Sequence, residues 1–101
     1  MSWAASYIQE LQQGRSVKFR PRGASMSGRI DSGQLVTVEP VAGRVLMPGD
    51  AVLCRVNGHC YLHLIKAVGS DGRYQIGANH GHINGWCSAQ AIFGVCTNVE
   101  P

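Results

Sequence analysis

The chain has 101 residues, of which 45% are hydrophobic and 15% charged, and its formal net charge is +3. That balance excludes a disordered chain and suits a single domain over residues 1–101 with one modest core. A charge of +3 does not by itself point to nucleic acid, and no stretch reaches the roughly 20 apolar residues of a membrane span. No basic segment followed by a long apolar run opens the chain, so no secretory leader is expected. The setting expected is the cytoplasm of a bacterium or a phage-infected cell, where Cys54, Cys60, Cys87 and Cys96 would stay reduced.

Residues 3–13 read as a short helix within an N-terminal segment 1–14. Trp3, Tyr7, Ile8 and Leu11 make an apolar stripe, Ser2 is a candidate N-cap, and Gly14 is a candidate stop. The stripe is expected to pack on a sheet, with Trp3 as an alternative anchor for a partner. Residues 15–101 read as strands and turns, punctuated by most of the 13 glycines. Val17–Arg20 alternates apolar and basic residues. Arg15, Lys18, Arg20, Arg22 and Arg29 cluster here, either as a solvated strand edge or as a patch for an anionic partner. Further strands are expected at Gln34–Glu39, Ala51–Val56, Tyr61–Val68, Arg73–Ile76 and Ala91–Val99. Asn57-Gly58 is a hairpin signal between the third and fourth of the six. His82-Ile83-Asn84-Gly85-Trp86 reads as a loop with a tight turn at Asn84-Gly85. Trp86 there either caps the core or walls a cleft. The fold class expected is mainly β: a compact, curved or partly closed antiparallel sheet with one short helix in front.

The stretch Gly23-Ala24-Ser25-Met26-Ser27-Gly28-Arg29-Ile30 presents a serine on a glycine-punctuated loop. It leads into Gly33-Gln34-Leu35-Val36-Thr37-Val38. Such a loop can expose a hydroxyl, and nearby backbone N–H groups can face an oxyanion. These residues resemble the Gly-x-Ser-Met-x-Pro-x-Ile and Gly-x-Leu-Val-x-Val boxes of type I signal peptidases and SOS-repressor autoproteases. Pro48-Gly49-Asp50-Ala51-Val52-Leu53 resembles that superfamily's Gly-Asp-Ile-Val strand, and Tyr61-Leu62-His63-Leu64-Ile65 its Val-Lys-Arg-Ile or Val-His-Arg-Ile strand. Tyr74-Gln75-Ile76-Gly77-Ala78-Asn79 and Ala91-Ile92-Phe93-Gly94-Val95-Cys96 resemble the two boxes that follow. The resemblance runs from about Val17 to Val99 in the family's order.

The resemblance implies a nucleophile at Ser25 and a general base at His63, where one branch carries histidine in place of lysine. A neutral imidazole can take the serine proton near pH 7. Strand alternation puts residues 61, 63, 65 and 67 on one face and 62, 64, 66 and 68 on the other, so Lys66 is expected to point away if His63 faces Ser25. The histidine branch orients its base with an aspartate. The matching position here is Asn84, with Asn79 as the other candidate, so the orienting group is an amide without charge. Gly28 replaces the family's proline. The only Ala-Gly pair, Ala42-Gly43, lies after the serine, whereas the autoproteases cut such a bond before theirs; it reads as a coincidence.

The functional expectation is a soluble serine peptidase-like protein with a Ser25–His63 dyad that acts on a specific polypeptide, encoded by a phage or mobile element. The alternative is a catalytically inactive binding module of the same fold, such as a phage inhibitor of a host protein. No cofactor is implied. Cys60, His63, His80, His82, Cys87 and Cys54 are metal-ligand types, but their spacing fits no standard zinc site, and the expectation is no metal. The partner expected is a polypeptide substrate or a protein, with no membrane or nucleic acid. The resemblance also allows two copies to pair through sheet edges.

Overall fold

The computed structural model describes residues 2–101. Its elements are α1 (Ala5–Gln12), β1 (Val17–Phe19), β2 (Leu35–Pro40), β3 (Ala51–Val56), β4 (His59–Val68), β5 (Tyr74–Gly77), β6 (Ile83–Cys87) and β7 (Ile92–Glu100), with a 3₁₀ turn at Ala89–Ala91 before β7. The seven strands form one antiparallel sheet in the order β1-β2-β7-β3-β4-β5-β6. The fold is therefore mainly β, as expected, but two expectations need correction. The sheet is open, with β1 and β6 as its edges, and not partly closed. It also holds a seventh strand, because the segment expected to be a loop at 82–86 pairs with β5 as β6.

α1 begins later than the stripe suggested. The helix is capped at Ala4 and not, as expected, at Ser2; Ser2 lies just ahead of it, where its Oγ accepts from the Ala4 N–H at 3.2 Å and its carbonyl from Ala5. At the other end Arg15 N–H donates to Glu10 O and Gly14 N–H to Leu11 O, the paired bonds of a Schellman stop. Ile8 and Leu11 face the sheet and are buried, whereas Trp3 is half exposed.

The strands alternate between two cores. On the α1 side, Val36 and Val38 of β2, Ala51 and Leu53 of β3, and Leu62 and Leu64 of β4 meet Ile8, Leu11, Met26 and Ile30. On the other side Val52, Cys54, Val56, Ile65, Ile76, Cys87, Ile92 and Val95 pack together. β3 feeds both cores, which explains its unbroken apolar run Ala51-Val52-Leu53-Cys54. The sheet curves enough for β6 to touch β3 without pairing to it. Gly85 of β6 allows that approach, since a Cβ there would sit 3.2 Å from Val56 Cγ1. The hairpin expected at Asn57-Gly58 joins β3 to β4, and both residues take positive φ (50° and 82°), as a primed turn requires. Ala42-Gly43 forms a surface turn closed by Arg44 N–H to Val41 O at 2.8 Å.

Four members of the basic cluster bind their own chain. Arg15 holds Glu10, Lys18 reaches Glu100 at 3.9 Å, Arg20 donates to the Gly33 carbonyl, and Arg29 donates to that of Gly49. Exposed contacts of this kind are screened by solvent and contribute little to stability. Among the described residues no helix is long and apolar enough to cross a membrane.

Candidate active site

The Ser25 loop is set by the residue after the serine. Met26 and Ile30 are buried in the α1-side core, and Ser25 is left exposed. Consecutive turns fix the loop: Ser27 N–H donates to Ala24 O, and the N–H groups of Arg29 and Ile30 both donate to Met26 O. Gly23 N–H donates to Ser32 Oγ at 3.2 Å and Gly28 N–H to Asp31 Oδ1 at 3.1 Å. The backbone N–H groups of Ser25 and Met26 have no acceptor among the described residues.

His63 lies on β4 opposite Val52 of β3 and is only 8% exposed. Its Nε2 is 3.0 Å from Ser25 Oγ and its Nδ1 is 2.7 Å from Asn84 Oδ1. Because an amide oxygen only accepts, the ring proton sits on Nδ1, and bare Nε2 can accept from the Ser25 hydroxyl. Tyr61, two residues back on the same strand face, stacks on the imidazole at 4.9 Å between ring centroids and 24° between planes. Burial holds the His63 pKa below its ordinary value. The Asn84 hydrogen bond pulls it up, and positive charge on His82 and Lys66 pushes it down again.

Asn84 reaches the ring because of a defect in pairing. Ile76 stands opposite Gly85 and Gly77 opposite Ile83, so Asn84 is an extra residue, a β-bulge in the edge strand. Bulges re-aim side chains in this way beside functional sites. Gly77 is needed across from it: a Cβ there would lie 2.5 Å from the His82 carbonyl oxygen. A second bulge falls at Lys66: Ile65 pairs with Ile76 and Ala67 with Gln75, which leaves Lys66 unpaired between them. Lys66 makes no hydrogen bond to Ser25 or His63, whose partners are each other and Asn84, and only its charge bears on His63.

Of the two asparagines weighed as orienting groups, Asn79 does something else. Its N–H donates to Ser25 O at 2.9 Å and its Nδ2 to Ser27 O at 2.7 Å, so it clamps the loop that carries the hydroxyl. No local pattern around Asn79 marks that clamp. Tyr61 was also missed, although its spacing of two from His63 on a strand is the signal that could have found it.

Trp86 neither caps the core nor walls the Ser25 cleft. It is 40% exposed on β6 beside Gly69. A cavity of about 450 Å³ does open beside Ser25 and His63, and its lining includes Trp3, Tyr7 and Phe19. Among the described residues no three His, Cys, Asp or Glu side chains gather as a metal-binding group. Cys54, Cys60, Cys87 and Cys96 are free thiols. Burial raises the pKa of Cys54 far above the thiol range, so it acts as a small apolar residue.

No protein-family model matches the chain, and neither does any curated protein or solved structure.

Proposed function

We propose that the chain is a serine hydrolase of the peptidase type, in which Ser25 is the nucleophile, His63 the general base and Asn84 the group that orients it. The observation that carries this reading is the continuous array Ser25 Oγ–His63 Nε2, His63 Nδ1–Asn84 Oδ1 at 3.0 and 2.7 Å. These separations are within hydrogen-bond reach, and the histidine tautomer they select is the one a base needs. The resemblance to signal peptidases and repressor autoproteases supports the same assignment, because it independently points to Ser25 and His63.

In this reading Ser25 Oγ attacks a substrate carbonyl carbon while its proton passes to His63 Nε2. The N–H groups of Ser25 and Met26 are free to receive the oxyanion that forms. Collapse breaks the bond to the leaving amine, which takes the proton from His63 and leaves an acyl-serine. Water then attacks the acyl carbon with His63 again as base, releasing a carboxylic acid and restoring Ser25. The residues of the array supply each proton position, and none of these steps uses a metal or cofactor.

The test is covalent capture by a fluorophosphonate, followed by intact mass. The expected adduct is single, sits on Ser25, and is lost in Ser25→Ala. Removing the base in His63→Ala should slow capture by about 10²–10⁴-fold. Failure of the wild-type protein to react at pH 8 would overturn the enzyme reading in favour of a binding module built on the same sheet.

A further inference from the structure

We infer that the cavity beside Ser25 is an acyl-side subsite for a bulky, uncharged aromatic side chain, so that the substrate is a polypeptide cut after such a residue. This rests on the reading of Ser25 as nucleophile.

The cavity adjoins both reacting groups, since Ser25 and His63 line it. Its other walls come from one side only. Trp3 just ahead of α1, Tyr7 of α1, Phe19 of β1 and Leu62 of β4 contribute apolar surface, and no residue of β6 takes part. His63 returns the proton from Nε2, the nitrogen that faces Ser25, so the leaving group must lie against that edge of the imidazole. The apolar walls supplied by Trp3, Tyr7, Phe19 and Leu62 are assigned to the acyl part of the substrate.

The size fits a large side chain. About 450 Å³ lies within the range of roughly 300–1,000 Å³ typical of sites that enclose a small molecule, and far exceeds what a methyl group needs. The wall chemistry is aromatic. Tyr7 and Phe19 stack at 4.4 Å with planes 14° apart, and Trp3 leans on Phe19 at 5.8 Å and 56°. Trp3 remains 52% exposed although its helix is packed through Ile8 and Leu11. A guest ring would cover that indole in the tilted or offset geometry aromatic pairs favour. The lining carries two cations, Arg20 and Arg22, against one carboxylate, Asp31, and Arg22 has no acidic partner among the described residues, so the balance of charge disfavours a basic guest. The helix that builds this wall lies outside the residues 17–99 that carry the resemblance, so the specificity is a property of this chain's own N-terminal segment.

Two measurements on the full chain test the inference. The first compares hydrolysis of the p-nitrophenyl esters of N-acetyl-alanine and N-acetyl-phenylalanine. The phenylalanine ester is expected to have the higher kcat/KM by about tenfold or more, the scale on which apolar pockets discriminate, and Trp3→Ala should reduce that ratio at least several-fold. Equal kcat/KM for the two esters would overturn the subsite. The second needs no turnover. N-acetyl-phenylalanine amide is titrated into Ser25→Ala while the Trp3 indole N–H resonance is followed, with N-acetyl-alanine amide as control. A saturable shift with the aromatic amide alone supports the subsite, and no shift overturns it. Retained binding with no capture of Ser25 by fluorophosphonate would instead overturn the hydrolase reading and leave the subsite standing.

Discussion

Replacing Asn84 by aspartate should convert a neutral orienting contact into a charged one at an unchanged distance. The present contact is 2.7 Å from Oδ1 to Nδ1, which puts a carboxylate charge roughly 4 Å from the centre of an imidazolium. At an effective dielectric of about 20 that attraction is worth about 4 kcal/mol. Partial desolvation of the new carboxylate offsets some of it, leaving about 1.4–2.7 kcal/mol, or one to two pKa units on His63. The pKa, now held low by burial, should therefore rise. At pH 8 and above, where the ring is still neutral, the step that creates imidazolium should run about 10–100 times faster. As pH falls the gain should shrink or reverse, because the variant's imidazole is protonated before that of the wild type. Proton NMR titration of the His63 ring gives the pKa, and fluorophosphonate capture against pH gives the rate. A raised pKa with unchanged or slower capture at pH 9 would refute the idea that Asn84 limits the base by lacking charge.

Three further outcomes follow from the same geometry. Because burial lowers the His63 pKa, the native state binds fewer protons than the unfolded chain, so its contribution to stability is present above about pH 6.5 and is lost as pH falls towards the native pKa. Urea unfolding from pH 8 to pH 5 should show that loss in the wild type, and a smaller one in His63→Gln. Asn79→Ala removes the bond from Nδ2 to Ser27 O, which should cost about 0.5–1.5 kcal/mol and slow Ser25 capture without moving the His63 pKa; a shifted pKa would show that Asn79 acts on the base. Gly77→Ala drives a Cβ against the His82 carbonyl, so stability should drop by about 1–3 kcal/mol and the His63–Asn84 contact should open, seen as loss of capture under conditions where circular dichroism still reports a folded sheet.

Much of the fold was legible because the apolar pattern and the turn residues agree with it. Ala51–Val56 reads as a buried strand because it is one, with successive side chains sent into two cores. Ser25 was visible because it precedes Met26, whose burial sets the loop. His63 and Asn84 were reached through the resemblance and the strand register. What could not be read was where pairing slips. Nothing local marks Lys66 or Asn84 as extra residues; each bulge arises from the fit of β5 between its two neighbours. The same fit made a strand of Ile83–Cys87, whose Asn-Gly pair has turn chemistry that pairing with β5 overrides. The helical stripe places Trp3 against the sheet, but the helix begins two residues later and leaves it over the cavity.

The two asparagines that serve the site belong to one short piece of chain. Asn79 holds the Ser25 loop and Asn84 holds the His63 ring, and between them runs the approach to an edge strand paired on one side only. Edges of this kind fray at far lower free energy than a sheet interior. Detachment of this strip would release the Ser25 loop and the His63 ring together while β2, β7 and β3 stayed paired. The temperature at which the Ser25–His63–Asn84 array comes apart is thereby set by the adhesion of β6 to β5, and the array can be lost as a unit well before the protein loses its shape.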